Sequence, residues 1–179
     1  VTGGFLIVAD LSGARAPEEY DFSTAGPPPT QSGASIDALP GERRIYFIST
    51  AANLVEIDRD ARTIRTIPGN APMRVKCVAD AILVATLAGG IGFVDRERRS
   101  IVDVLPGVAN ATDASFSADG AVALIAFADG SLRCVDIGVE ARTARTRWTQ
   151  PPRYGSMRAA AVSPDGRTML VAWNDGRVA

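Results

Sequence analysis

Histidine is absent from all 179 residues. That absence removes Ser-His-Asp and Cys-His catalytic arrangements, histidine acid–base chemistry and most transition-metal sites. Cysteine is scarce as well. Cys77 and Cys134 are too few for a disulfide framework, and each lies in an apolar run where it reads as a small core hydrophobe. Two reduced thiols lean toward a cytoplasmic setting and otherwise leave the compartment open. Neither sign of charge prevails, with 19 basic side chains against 20 acidic and a net charge of -1. Such a balance speaks against nucleic acid or an anionic membrane surface as partner. No apolar run approaches the length that a bilayer demands; Ala81–Ala88 is among the longest.

What is present is a repeat. Val75–Asp95, Ala114–Asp136 and Ala160–Ala179 each read as a strand, a tight turn, a more apolar strand, a second turn and a third strand. The first turns are Ser117-Ala118-Asp119-Gly120 and Ser163-Pro164-Asp165-Gly166. Asp there caps backbone N–H groups and Gly supplies a positive φ, so each hairpin register is set locally. Asp129-Gly130, Asp175-Gly176 and Gly89-Gly90 serve the second turns. An Asp closes the third strand at Asp58, Asp95 and Asp136, spaced by 37 and 41 residues. That period suits a four-stranded unit.

The second strands, Ile45–Ile48, Ile82–Leu87, Val122–Phe127 and Met169–Trp173, are almost wholly apolar, as strands covered on both faces are. The fourth strands, near Thr63–Ile67, Ser100–Leu105 and Thr143–Thr149, are the most polar, and charge at a free edge discourages edge-to-edge pairing. Phe5–Leu11 and Tyr20–Ser23 fit a third and a fourth strand, with Gly26–Gly33 (GPPPTQSG) as a stiffened exposed loop before a first strand at Ala34–Leu39. No segment shows a clean helical period. The expected class is all-β, a β-propeller of four-stranded antiparallel blades, three complete and two partial. The blades are expected at 34–67, 73–105 and 112–149, with partial blades at 1–25 and 157–179.

The stretch Met157–Val178, with its text VSPDGRTMLVAWNDGRV, and Ala114–Asp136 almost as well, resembles the WD-repeat family of β-propellers. The family's Gly-His dipeptide is missing, and Ile57, Val94 and Val135 stand where its signature Trp would be. The resemblance implies a platform whose partners dock on one rim, where fourth strands lead into the next first strand and second strands turn into third ones. Here those loops are Pro68–Met73, Pro106–Thr112 and Gln150–Ser156, with Ala51–Asn53, Gly89–Gly90, Asp129–Ser131 and Asn174–Gly176.

The segment Arg147–Arg158 (RWTQPPRYGSMR) is the most distinctive of these, and Trp148, Arg153, Tyr154, Met157 and Arg158 are its candidate partner-binding residues. The competing reading packs Trp148 between blades. Asp58, Asp95 and Asp136, one per repeat, read as turn caps and not as metal ligands, and Arg142, Arg145 and Arg147 read as guards of an outer edge. Gly89-Gly90-Ile91-Gly92 precedes no helix and is not a phosphate loop.

No catalytic constellation, metal site or cofactor motif emerges. The expected function is a non-enzymatic protein–protein interaction or scaffolding module; the alternative is a ligand-binding or enzymatic propeller of the lactonase or quinoprotein type. The remaining blades are expected from the same parent chain or another subunit, and the competing solution closes the two partial blades into a four-bladed ring.

Overall fold

The computed structural model describes residues 5–8 and 18–21 in backbone, together with 35–49, 52–108, 110–153 and 155–179. The expected proline-rich loop at 26–33 and the candidate residue Tyr154 lie outside the described residues. Every regular element described is a strand. β1 (Phe5–Val8) and β2 (Glu18–Asp21) pair as a two-stranded sheet. Three four-stranded antiparallel sheets follow. The first holds β3 (Ile36–Ala38), β4 (Arg44–Ile48), β5 (Leu54–Asp58) and β6 (Thr63–Ile67). The second holds β7 (Pro72–Val78), β8 (Ala81–Thr86), β9 (Ile91–Asp95) and β10 (Ser100–Leu105). The third holds β11 (Ala111–Phe116), β12 (Val122–Phe127), β13 (Leu132–Gly138) and β14 (Thr143–Gln150). β15 (Met157–Val162) and β16 (Met169–Trp173) begin a fourth blade. In each sheet the strands pair in chain order. This meander, repeated with the same polarity, is an array of β-propeller blades.

The turns form for the reasons the sequence gives. Ser117 Oγ donates to Asp119 Oδ1 at 2.6 Å and accepts from Val122 N at 3.0 Å, and Ser163 repeats both bonds with Asp165 and Thr168 at 2.5 and 2.9 Å. Gly120, at φ +70, presses against the preceding blade, and a Cβ there would stand 2.7 Å from Leu83 Cδ1. Side-chain capping and tight interblade contact meet at one turn.

Blades stack through their second strands. All six residues of β8 and all six of β12 are buried. Leu83 and Ala85 share a core with Ala123, Ile125 and Phe127, while Leu124 and Ala126 turn the other way toward Met157, Val171 and Trp173. Alternation along each strand thus supplies one face to each neighbour. The first strands carry the tightest polar links between blades. Asp37 Oδ2 accepts from Cys77 N at 2.9 Å and Ser35 Oγ from Val75 N at 3.1 Å. Two blades on, Asp113 Oδ2 accepts from Ala160 N at 3.0 Å and Ser115 Oγ from Val162 N at 3.1 Å. The second blade has Arg74 and Lys76 at the corresponding positions, and these donate instead: Arg74 Nη2 to Asp113 Oδ1 at 2.6 Å, and Lys76 Nζ pairs with Asp37 Oδ2 at 3.3 Å.

Candidate functional site

Two surfaces are positioned by this array: the face of the first strands and the rim built from interblade loops. On the first-strand face, Arg74, Val75, Lys76, Ala114, Ser115, Phe116 and Ala160 line a cleft of about 250 Å³. Its charges are already matched. Asp113, only 7% exposed, takes the Arg74 guanidinium and two backbone N–H groups, those of Ala114 and Ala160. Asp37 takes Lys76 and the N–H groups of Ala38 and Cys77. Carboxylates satisfied in this way hold blades together and have little lone-pair capacity left for chemistry.

Along the rim, each described loop entering a blade is bonded to a turn of that blade. Leu87 N donates to Ala71 O at 2.9 Å, Ala128 N to Asn110 O at 2.9 Å and Asn174 N to Ser156 O at 3.0 Å. These are equivalent bonds in three successive units, each joining a second-to-third-strand turn to the loop entering the same blade. Glycine makes the close approach possible: a Cβ on Gly130 would run into the Gly155 backbone, and one on Gly107 into Ala88.

The structure disperses the candidate residues of Arg147–Arg158. β14 continues to Gln150, so Trp148 lies in a strand, opposite Cys134, half-buried against the core shared with Met157 and Trp173. Met157 opens β15 and is 1% exposed, packed in the core with Val171 and Trp173. Arg153 and Arg158 are exposed. The reading of Trp148 as an interblade packing residue is the one its surroundings match.

The closing aspartates divide. Asp58 Oδ1 accepts from Asp60 N and Ala61 N at 3.1 and 2.9 Å, and Asp95 Oδ1 from Glu97 N and Arg98 N, both at 3.0 Å. These bonds, led by those from Ala61 and Arg98, hold both carboxyls below the usual range. Asp136 differs because β13 runs on to Gly138, leaving it inside the strand and away from the turn. It pairs instead with Arg147 and, at 3.3 Å, with Arg145. The two arginines of the outer strand are thus tied to their own blade. Among the described residues no group of three or more Cys, Asp or Glu is arranged to hold a metal ion, and no helix is long and apolar enough to cross a membrane.

One rim residue had no place in the sequence reading. Arg133, on β13 of the third blade, crosses to the second blade and donates through Nη1 to Gly89 O at 3.2 Å and Pro106 O at 3.1 Å. It is 8% exposed, and burial pulls its guanidinium below the usual arginine value. Its signal was visible as the one charged residue flanked by apolar ones in Leu132-Arg133-Cys134-Val135.

No protein-family profile matches the chain, and no curated protein matches it. Among solved structures, the hydrazine synthase of Kuenenia stuttgartiensis is similar over 76% of this chain, with a TM-score of 0.56 and 16% sequence identity. The chain spans 40% of the length of that structure. At this identity the likeness is one of fold, and hydrazine synthase is a β-propeller-containing protein.

Proposed function

We propose that these residues form part of a larger β-propeller of WD-repeat type that works as a non-enzymatic protein–protein interaction or scaffolding platform. One observation carries the first half. Leu124, on the onward face of the third blade, is 1% exposed because the fourth covers it, whereas its equivalent on β16, Leu170, is 56% exposed. Val178, equivalent to Leu132, is bare in the same way. The repeat supports another blade as the cover for such a face, from the parent chain or another subunit. The WD-type reading is supported by the Ser-x-Asp-Gly turns at Ser117 and Ser163 and their shared bonding.

The platform reading rests on where polar capacity is spent. Asp37 and Asp113, the carboxylates of the first-strand face, are consumed in links between blades. In the second, third and fourth units the described rim residues present hydrogen-bonded backbone and exposed side chains. Hydrogen exchange on the protein with and without its co-purified protein partner tests this. Protection is expected in rim segments 106–111 and 150–156, with the opposite-end turn at Ser117–Gly120 unchanged. Protection confined to first strands β7 and β11 on adding a small-molecule substrate would overturn it in favour of the enzymatic alternative.

A further inference from the structure

The internal repeat supplies its own control for Arg133. The equivalent third-strand positions are Val55 in the first blade and Gly92 in the second, so the fold has no general need for a cation there. Burying a guanidinium is costly unless a carboxylate and full hydrogen bonding compensate. Arg133 has two carbonyl acceptors, both on Nη1, and no carboxylate within ion-pair distance among the described residues. Its Nε–H is buried and has no hydrogen-bond partner. Arginine does not shed its proton in response to such surroundings, so an uncompensated positive charge is held just beneath the rim.

The loops above it carry aliphatic side chains. The two carbonyls it holds belong to the loops that form the second blade's rim, which are also fastened by Val108 N to Ala88 O at 2.9 Å and Ala111 N to Leu87 O at 2.7 Å. Leu87 and Val108 stand out from this framework at 40% and 64% exposure. Exposed aliphatic side chains on the loops whose carbonyls this guanidinium holds are complementary to an aliphatic group carrying a carboxylate.

We infer that the rim over the second and third blades is a docking site for an acidic–aliphatic peptide segment of a protein partner. Its carboxylate pairs with the Arg133 guanidinium, and its aliphatic side chain lies on Leu87 and Val108. This rests on the platform reading and names one site within it. Arg133 gives charge and direction, the two hydrophobes give contact area, and the hydrogen bonds of the loops keep the ordering cost of docking low.

The test uses isovalerate, which joins the two chemistries in one small molecule, and isovaleramide, which has the same shape without the charge. Two-dimensional NMR of the whole chain follows the Arg133 Nε–H signal and the Gly107 and Val108 amides. Isovalerate is expected to shift all three saturably, and isovaleramide to bind at least about tenfold more weakly. Arg133→Met should abolish the difference between acid and amide. It is a tolerable change, since an apolar chain of similar length often replaces a buried charge without loss of stability. Val108→Asp, at an exposed position that leaves the core intact, should weaken isovalerate by repulsion while the fold persists. Equal binding of acid and amide, shifts that survive Arg133→Met, or no shift at Arg133 would overturn the site. Each of these removes this site alone, because the probe reads Arg133 directly; the platform reading fails separately, in the partner-protection experiment.

Discussion

Replacing Asp113 by alanine cuts the link between the second, third and fourth units at one point. Asp113 Oδ1 receives Arg74 Nη2 at 2.6 Å and Nε at 3.1 Å, and Oδ2 receives Ala160 N at 3.0 Å. The consequences for the two partners differ. The Arg74 side chain is 35% exposed and can return to water, so its lost pairing is worth about 0.5–1 kcal/mol. Ala160 is buried, and its N–H would be left without an acceptor at about 1–3 kcal/mol. Asp113→Ala should therefore cost about 1.5–4 kcal/mol. Asp113→Asn keeps an oxygen for Ala160 N and should cost about 1 kcal/mol. Urea unfolding at one fixed protein concentration measures both, with tryptophan fluorescence as the signal, since Trp148 and Trp173 border the same junction. A double-mutant cycle with Arg74→Met should return a coupling of about 1 kcal/mol or less. If Asp113→Ala lies within 0.5 kcal/mol of the parent chain, or Asn costs as much as Ala, the first-strand links are not what couples the blades.

Two further outcomes follow from the same structure. Burial pushes the Cys77 thiol up to about 12 and raises that of Cys134, and both side chains are buried. Neither should react with iodoacetamide at pH 8 in the folded chain, and both should react in urea; labelling of either under native conditions contradicts the packing described. The capping carboxyls of Asp58, Asp95, Asp119, Asp129 and Asp165 are all held below 3.8. A depressed folded pKa gives stability that is present above the unfolded pKa and is lost as pH falls through the folded value. With no histidine to titrate, stability should be flat from about pH 5 to 8 and decline below about pH 4. A decline centred above pH 5 would show that other groups govern acid unfolding.

The blade array was legible because its determinants are local. Asp-Gly turns set the hairpins at Gly120, Gly130, Gly166 and Gly176, and the wholly apolar β8 and β12 announced two covered faces. A second local signal went unread: Arg62-Thr63, Arg99-Ser100 and Arg142-Thr143 each precede a fourth strand, and all three arginines adopt positive φ, at 51°, 53° and 50°. What composition could not give was the destination of side chains whose neighbours are distant in sequence. Trp148 and Met157 have the residue types of a binding loop, yet the arrival of β16 and Trp173 turns that ground into core. Asp136 is in step with Asp58 and Asp95 by spacing alone. A longer third hairpin moves it off the turn and gives it arginines to hold instead of backbone. Arg133 was visible as an oddity in an apolar strand, but its target, two carbonyls on the preceding blade, belongs to tertiary structure.

The central claim is that the fourth blade's onward face is built to be covered by another blade. Sedimentation velocity of the 179-residue chain across a range of concentrations, repeated with Leu170→Arg, addresses it most directly. The parent chain should associate as concentration rises, and Leu170→Arg should remain monomeric with its fold intact. A parent chain that stays a well-folded monomer at every concentration, with a cysteine introduced at Leu170 resisting labelling, would show that the array closes on itself and contradict the claim.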